Sequence, residues 1–432
     1  MSFKKKIIAL SVWLSRIIVG ATFTFSGFVK AVDPLGFCYK IQDYLIEFDM
    51  TAFFPTALPL AILLSVAEFL LGIGILLGLY RKWTTIGVLL FMVFFTPLTL
   101  WIALANPVED CGCFGDAFII SNWATFYKNV VLLAAAILLV IFRHRMVPLF
   151  SPKTAWIAAL FCVLFGFGFA LYNSYTLPVF DFRAYKIGAD IPRLMEVDPE
   201  EGDVYETVFI YRKDGKQQTF SEENYPWNDS TWTFVDMETR LIKEGVKPAI
   251  EDFAVEMLTP DSLSGQLLPA GDITQQILSD SSYTFLMIAY DLEEMHLKYL
   301  GRFSALAEYA SDKGYSFYCL TSSSASAIDM WSREHKASFP FAHADERMLK
   351  TMIRSNPGLL LLKNGVILHE WDDRDVPSLE QLPPRLEEAS FTRVENTSAR
   401  DRRTLAVIIL LFIVPLVLIK VIDRTFYTKK YK

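Results

Sequence analysis

Cysteine is scarce in this sequence, with five residues among 432. A small secreted scaffold held together by disulfides is therefore excluded, because such scaffolds are dense in cysteine. Histidine is equally scarce, with five residues. No glycine-rich nucleotide loop, metal-binding cluster or Ser/His/Asp arrangement is apparent in the sequence, which leaves the common nucleotide-dependent and hydrolytic enzymes without support.

Charge is divided unevenly along the chain, and one half carries a large excess of acidic residues. Residues 174–402 contain 23 Lys+Arg against 39 Asp+Glu, a net charge of −16. The remaining residues contain 18 Lys+Arg against 9 Asp+Glu, a net charge of +9, and they hold nearly all the long apolar runs. A disordered chain and a nucleic-acid-binding protein are excluded, because the basic part is hydrophobic and the polar part is acidic.

Six apolar runs of about 20 residues are long enough to cross the hydrocarbon core of a bilayer. We therefore predict a polytopic α-helical membrane protein. The first run is not expected to be a cleaved signal peptide, because it is too long and lacks a clear small-x-small cleavage site. The predicted spans are residues 7–29, 58–79, 84–105, 123–142, 154–172 and 404–422.

The loops between these runs predict the orientation. The short loops on one side of the membrane contain only two basic residues, Lys30 and Lys40. By the positive-inside rule, both termini are predicted in the cytoplasm and residues 174–402 outside. Thirteen basic residues fall on the cytoplasmic side, namely Lys4, Lys5, Lys6, Arg81, Lys82, Arg143, Arg145, Lys153, Lys420, Arg424, Lys429, Lys430 and Lys432.

The outer residues divide into two parts. Residues 174–248 are predicted to be β-rich, since residues 204–211 alternate and Asp214-Gly215 marks a hairpin. Residues 249–402 alternate between strand and helix patterns, which predicts an α/β sheet. Its predicted elements are a strand at 283–290, a helix at 293–313, a strand at 315–321, a helix at 326–335 and a hairpin of 359–362 with 366–371.

This element order, with Asn356-Pro357-Gly358 before the final hairpin, resembles the thioredoxin fold in its peroxiredoxin-like or periplasmic form. The resemblance implies a cis bond before Pro357; the alternative is an ordinary turn. Thioredoxins carry Cys-x-x-Cys at the strand-to-helix turn, whereas residues 291–296 read Asp-Leu-Glu-Glu-Met-His. Cys319 lies in an apolar strand and is expected to be a core residue. We therefore expect a thioredoxin-like shape without thiol chemistry.

Several short motifs lie in the first four spans and in the loops between them. They are Arg16-Ile-Ile-Val-Gly20, Ser26-Gly27, Lys30, Asp33-Pro34, Phe37, Tyr44, Glu68 with Gly72, and Cys111-Gly112-Cys113-Phe114-Gly115. With these motifs the chain resembles the DoxX superfamily, and its MauE-like branch in particular. The resemblance implies a four-helix bacterial inner-membrane unit linked to periplasmic redox chemistry, as in methylamine dehydrogenase maturation and thiosulfate:quinone oxidoreduction.

The resulting domain prediction has five parts. Residues 1–150 form a DoxX/MauE-like bundle, 151–173 a fifth span, 174–248 a β-rich segment, 249–402 a thioredoxin-like domain lacking Cys-x-x-Cys, and 403–432 a sixth span with a basic tail. The membrane is one partner, a periplasmic protein is the other that we expect, and nucleic acid is excluded. The residues specify no cofactor; the resemblance admits a quinone.

Cys38, Cys111 and Cys113 all fall on the side where disulfides persist. Gly112 would let the chain curl enough for a strained and therefore labile Cys111–Cys113 bridge, which suits thiol exchange. The alternatives are a structural bridge from Cys38 to Cys111 or Cys113, and no role for the thiols at all. A metal site is disfavoured because no histidine lies nearby in the sequence.

Two charged residues are predicted to lie near the bilayer midplane. Arg16 and Glu68 are each about ten residues into a span, so an Arg16–Glu68 ion pair is expected. Residues 37–48 place apolar side chains at helical spacing and predict an amphipathic surface helix that carries Cys38. The function predicted overall is membrane thiol–disulfide or quinone-linked redox chemistry; the alternative is a non-catalytic scaffold whose outer domain binds a partner.

Overall fold

The structure is a computed structural model. It describes residues 3–107, 111–197, 202, 204–222, 224–243, 245, 247–261, 266–394 and 397–428. Three of the basic residues used to predict the orientation, Lys429, Lys430 and Lys432, lie outside the described residues.

Each of the six apolar runs forms a helix that is long and apolar enough to cross a membrane, which confirms a multi-pass membrane protein. A surface helix with a buried Cys38 follows the first span, as predicted for residues 37–48. The helices up to the end of the fifth span are α1 (Phe3–Val32), α2 (Pro34–Glu47), α3 (Ala57–Leu77), α4 (Arg81–Ala105), α5 (Asn122–Ile141) and α6 (Ala155–Tyr175).

Close backbone contact joins α1 to α3. A methyl group added at Gly27 would lie 2.3 Å from the Phe69 backbone nitrogen, and one added at Gly72 would lie 2.3 Å from the Thr24 nitrogen. Small residues at such crossings let two membrane helices approach closely, so that dispersion contacts hold them together. The contact also fixes which residues of the antiparallel pair lie level with each other.

The predicted Arg16–Glu68 ion pair is wrong. Glu68 accepts a hydrogen bond from Lys30 Nζ at 2.7 Å, and both side chains are buried. Arg16 instead donates to the carbonyls of Ile75 and Leu76 at the end of α3. Because Thr24 lies beside Gly72, Arg16 and Glu68 sit at different depths. The helical rise between Arg16 and Lys30 corresponds to about 21 Å.

The extramembrane domain, residues 176–394, contains an α/β sheet with helices on both faces. Its strand order is β10-β9-β6-β7-β8-β4-β5, in which β6, β7 and β8 are parallel and β9 and β10 run antiparallel. The elements are α7 (Ile191–Met195), β1 (Val204–Lys213), β2 (Lys216–Ser221), β3 (Thr233–Lys243), β4 (Glu256–Pro260), β5 (Leu267–Asp272), α8 (Thr274–Leu278), β6 (Thr284–Ile288), α9 (Leu300–Lys313), β7 (Ser316–Thr321), α10 (Ala325–His335), β8 (Phe341–His343), α11 (Glu346–Met352), β9 (Gly358–Lys363) and β10 (Val366–Asp372).

The core of this domain lies on both faces of the sheet. Phe303 and Leu306 of α9 pack on one face with Phe285, and Leu349 and Met352 of α11 pack on the other. All five residues of β6 are buried, which explains its continuous apolar sequence. The sixth span, α12 (Thr397–Thr428), then returns the chain to the membrane.

A separate antiparallel sheet, with the order β2-β1-β3, is formed by residues 204–243. Aromatic rings cover one of its faces: Phe209 stacks on Tyr225 at 4.5 Å between ring centroids, and Tyr211 contacts Phe234. Phe234 and Met237 are more than half exposed. The β-rich segment predicted from the sequence is thus a three-stranded sheet with an open aromatic face.

The helix predicted from residue 293 begins later, at Leu300. Residues 291–296 instead form a turn in which the Asp291 carboxylate accepts hydrogen bonds from the Glu293 and Glu294 N–H groups. An aspartate in this role stabilises a turn in competition with helix. The Asn356–Pro357 peptide bond is cis, the isomer that the sequence predicts.

Candidate functional site

Cys111 and Cys113 lie in a turn at the end of the membrane bundle that faces the extramembrane domain. We call residues 111–121 the thiol loop and this end the domain end. Gly112 and Gly115 have φ angles of 63° and 53°, and the Gly115 N–H donates to the Gly112 carbonyl at 3.2 Å. Glycine adopts this left-handed conformation without the cost that a side chain would impose. The chain therefore turns back on itself at Cys-Gly-Cys.

The turn brings several donors to the sulfur of Cys111. The Cys113 N–H donates to Cys111 Sγ at 3.4 Å, and Thr125 Oγ1 lies 3.5 Å from the same sulfur. The Cys113 thiol hydrogen-bonds Cys111 as well. Two hydroxyl groups hold the backbone: Ser26 donates to the Cys113 carbonyl at 2.6 Å and Tyr44 to the Cys111 carbonyl at 3.3 Å.

These contacts make the two thiols unequal. The hydrogen bond from Cys113 outweighs burial and, with Thr125 and the positive charge of Lys128, lowers the pKa of Cys111 to about 6. The same hydrogen bond, with burial and the charge of Cys111, raises the pKa of Cys113 well above its ordinary value. A thiolate is the nucleophile in thiol chemistry. The shifts therefore favour a thiolate at Cys111 and a protonated thiol at Cys113 near neutral pH.

Two lysines supply positive charge near the thiols. Lys128 in α5 lies over the Phe114 ring, 4.2 Å from its centroid. Lys30 in α1 is held by Glu68, and its charge lowers the pKa of Cys113 in opposition to burial. A buried ammonium group needs its carboxylate partner, because an unpaired charge there is costly. The Lys30–Glu68 pair thus places a fixed charge under the thiol loop.

Cys38 occupies a different environment. It packs with Ile41, Ala57 and Ala61 where α2 meets α3. Burial raises its pKa to about 11. All five cysteines are free thiols in this structure. The structure thus brings Cys111 and Cys113 together and places Cys38 in an apolar cluster apart from them.

A narrow cleft opens beside the thiol loop, with a cavity volume of about 20 Å³. Lys30, Phe37, Gly112, Asp116 and Arg183 are among the residues that line it. A volume of this size holds about one water molecule, whereas small-molecule pockets measure several hundred Å³. The cleft does not fit a quinone ring. Among the described residues, no group of three or more His, Cys, Asp or Glu side chains is arranged to hold a metal ion.

The extramembrane domain rests on this end of the bundle through polar contacts. The hydroxyl groups of Tyr39 in α2 and Tyr290 after β6 lie 3.4 Å apart, and Lys350 Nζ lies over both rings. The Arg354 guanidinium binds Asp33 at 2.8 Å and Asp116 at 3.0 Å. Burial disfavours the Asp33 carboxylate, but the charge and hydrogen bonds of Arg354 prevail and lower its pKa.

Residues 291–296 form the turn of the extramembrane domain at which the sequence comparison with thioredoxins would place Cys-x-x-Cys. This turn contains no thiol. His296 is exposed, with Nδ1 3.6 Å from an Asp373 carboxylate oxygen. Its backbone N–H donates to the Asn356 carbonyl, next to Pro357. Cys319 is fully buried in β7, and burial raises the pKa of its thiol. Among the described cysteines outside the membrane spans, a lowered thiol pKa is thus found in the thiol loop alone.

Sequence reasoning missed four residues of this site. Neither Thr125 nor Lys128 belongs to a sequence motif that marks it as a partner of a thiol. Arg354 and Asp116 drew no attention, because their contact joins segments separated by 238 positions. Lys30, in contrast, could have been predicted from the sequence as the partner of Glu68, because it is a lysine at the end of an apolar run within reach of a buried acid.

Comparison with protein-family models supports the membrane part. Residues 8–142 match the family described as methylamine utilisation protein MauE, and residues 205–244 match a domain of unknown function, DUF8463. The first match includes the thiol loop; the second corresponds to the β2-β1-β3 sheet. Neither curated proteins nor solved structures gave a match. The protein is therefore a multi-pass membrane protein with a MauE-like region and a separate sheet-rich extramembrane region.

Proposed function

We propose that this protein exchanges thiols and disulfides with partner proteins at a bacterial inner membrane, in maturation of the kind that the MauE family name suggests. Cys111 is the nucleophile and Cys113 the resolving thiol. The observation that carries the proposal is the asymmetry of the pair, with the pKa of Cys111 lowered to about 6 and that of Cys113 raised. Asymmetric thiols of this kind, here only partly buried, are typical of exchange sites.

The proposed reaction balances within the thiols. The Cys111 thiolate attacks one sulfur of a partner disulfide, forming a mixed disulfide and releasing the other partner sulfur as a thiolate. Cys113 then loses its proton to that thiolate and attacks Cys111 Sγ, which releases the second partner sulfur as a thiolate. The partner gains two electrons, one proton from Cys113 and one proton from water, and Cys111–Cys113 becomes a disulfide. The reverse sequence oxidises a partner dithiol.

A second protein, with a dithiol, is the electron donor that resets the pair: by the same chemistry in the opposite direction its dithiol becomes a disulfide and Cys111 and Cys113 return to thiols. The cleft beside the thiol loop is too small to enclose a quinone ring, so the proposed exchange involves protein thiols and disulfides alone. The proposed reaction thus passes electrons between two protein partners, with the membrane bundle holding the thiol loop in place.

The proposed orientation places both termini in the cytoplasm and residues 174–402 in the periplasm. It is supported by the distribution of basic residues and by the contacts at the end opposite the thiol loop. There, Arg81 donates to the Met146 carbonyl and Arg16 to the Val147 carbonyl, so these positive groups share one end of the bundle. Periplasmic thiols meet an oxidising environment, which suits disulfide exchange.

We infer further that the bundle is of the DoxX type and that residues 249–394 are thioredoxin-like. The latter is supported by the strand order, in which parallel β6 and β7 are flanked by antiparallel β9 and β10. The domain has no thiol at residues 291–296, so its proposed role is to dock on the bundle and to bind a partner protein.

Replacing both Cys111 and Cys113 by Ser should leave the full chain without exchange activity, since buried Cys319 cannot substitute.

The second candidate function is a non-catalytic scaffold. It is favoured by the open aromatic face of the β2-β1-β3 sheet, where Phe234, Met237 and Leu241 are about half exposed or more. Exposed apolar surface of this kind often marks a protein-binding site. In this case the thiols would serve only to staple loops.

Thiol trapping in living cells separates the two functions. Acid quenching followed by alkylation with a mass-tagged maleimide reports how much of Cys111 and Cys113 is oxidised. Exchange predicts a mixed population that shifts within minutes after a pulse of dithiothreitol or of a disulfide oxidant. The Cys319→Ser variant is the matched control and should behave as the wild type. A pair that stays fully oxidised or fully reduced throughout would contradict exchange and favour the scaffold.

A further inference from the structure

Arg354 is a buried arginine at the interface between the extramembrane domain and the bundle. It lies two residues before the Asn356–Pro357 bond, and its side chain is 4% exposed. Its Nε is 2.9 Å from one oxygen of Asp33 and 3.1 Å from the other. Its Nη2 contacts both Asp33 and Asp116. A planar guanidinium is suited to hold two carboxylates in fixed positions.

Each of the two carboxylates controls an element of the thiol site. Asp33 is the N-cap of α2, where it accepts from the Gly36 N–H at 2.8 Å. That helix supplies Tyr44, which donates to the Cys111 carbonyl. Asp116 lies three residues after Cys113 in the same turn. One side chain of the extramembrane domain therefore holds both α2 and the thiol loop.

We propose that Arg354 is the positioning residue of the thiol site, so that docking of the extramembrane domain sets the geometry of the Cys111–Cys113 pair. The inference deepens the proposed function, on which it rests, by making the domain a structural regulator of the thiols. When Arg354 releases Asp116, the thiol loop loses the anchor that keeps Cys113 turned toward Cys111. The domain thus controls thiol reactivity without contributing a thiol.

Other charged and titratable groups also face Cys111. They are Cys113 in the loop, Lys128 from α5 and Lys30 from α1. From α2, the Lys40 stem lies against Gly112, with Cγ 3.3 Å from the position of an added methyl group. None of these groups is removed by a change at Arg354 or Asp116. A shift in the titration of Cys111 in such variants therefore comes from geometry or from the charge removed.

Geometry and charge predict shifts of opposite sign in the Cys111 titration midpoint of Asp116→Asn. If only charge matters, Arg354→Ala removes a positive charge and raises the titration midpoint of Cys111, whereas Asp116→Asn removes a negative charge and lowers it. If Arg354 positions the loop through Asp116, Arg354→Ala breaks their contact and Asp116→Asn weakens it, because an amide oxygen is a poorer acceptor than a carboxylate. Both then weaken the hydrogen bonds to the Cys111 thiolate and raise the midpoint.

The test is the rate of Cys111 alkylation by iodoacetamide as a function of pH, measured by mass spectrometry on the reduced full chain in detergent. We expect midpoints raised by about one pH unit or more in both variants, which is about a tenfold loss of thiolate on the rising part of the profile. Arg347→Ala is the matched control, because it removes the same positive charge from an exposed side chain of α11, whose Nη2 lies 4.0 Å from Asp43 Oδ2. Its midpoint should equal that of the wild type.

Unchanged midpoints, or shifts of opposite sign, would overturn the inference. Asp116 is partly exposed, so Asp116→Asn decides the question even if Arg354→Ala fails to fold. The wild-type profile tests the proposed function separately. An ordinary midpoint of about 8.5 in the wild type would remove the basis of the exchange proposal, whereas a low wild-type midpoint with unchanged variants would contradict only the role of Arg354.

Discussion

At the scale of single residues, the chemistry of the site depends on hydrogen bonds to one sulfur. Cys111 Sγ accepts a hydrogen bond from the Cys113 N–H and lies beside the Thr125 hydroxyl, whereas Cys38 has apolar neighbours. The same side chain therefore has a pKa of about 6 in one place and about 11 in the other. Burial alone raises a thiol pKa, and donors aimed at the thiolate, together with nearby positive charge, reverse that effect.

The first prediction concerns reactivity at neutral pH. Because the pKa of Cys111 is lowered, its thiolate forms as the pH rises through about 6, and alkylation should reach its plateau by neutral pH. Cys38 should stay unreactive over this range. Thr125→Val should raise the Cys111 midpoint, since it removes a donor to the thiolate. Equal alkylation of Cys38 and Cys111 at pH 7 would contradict this account.

At the scale of elements, helix register decides which charges meet. Counting residues from each end of two spans placed Arg16 and Glu68 at one depth, but that count assumes a register that the sequence does not state. The register is set by the approach of Gly27 and Gly72 to the opposite backbone. It brings Lys30, rather than Arg16, to Glu68. The lengths of the apolar runs, in contrast, were sufficient to predict all six membrane helices.

The second prediction concerns the Lys30–Glu68 pair. Removing one partner leaves a buried charge uncompensated, so Glu68→Gln and Lys30→Met should each lower the free energy of unfolding by about 3–5 kcal/mol. The double variant Lys30→Met/Glu68→Leu should recover most of that loss. Thermal unfolding in detergent measures the effect, with exposed Lys153→Met as the control. A double variant as unstable as the two single variants would show that the pair does not act as a unit.

At the scale of the whole molecule, the thiol loop is held between the membrane bundle and the extramembrane domain. The Cys-Gly-Cys motif was visible in the sequence, and so was the alternation of strands and helices. The roles of Arg354 and Asp116 were not visible in the sequence, because their contact depends on how two separately folded regions dock. Sequence periodicity reports the burial of a residue within its own element, whereas docking depends on single polar contacts between distant segments.

The third prediction concerns topology. An alkaline phosphatase reporter, which is active only in the periplasm, should be inactive when fused after Lys432. The same reporter inserted at the hairpin turn between β1 and β2, in residues 214–215, should be active. This follows from the concentration of basic residues at the end opposite the thiol loop. Activity of the C-terminal fusion would place residues 174–402 in the cytoplasm and remove the oxidising environment that exchange needs.

The most direct test of thiol exchange is to trap the mixed disulfide. Without Cys113, a partner bound to Cys111 has no resolving thiol, so Cys113→Ser should accumulate a covalent complex that disappears on reduction. The reciprocal variant Cys111→Ser should give little or none, because burial still raises the pKa of the remaining Cys113 thiol after the contribution of Cys111 is removed. Non-reducing electrophoresis of membranes after acid quenching measures both. Complex formation in Cys113→Ser alone is the predicted result; no complex in either variant, or equal amounts in both, would contradict the account.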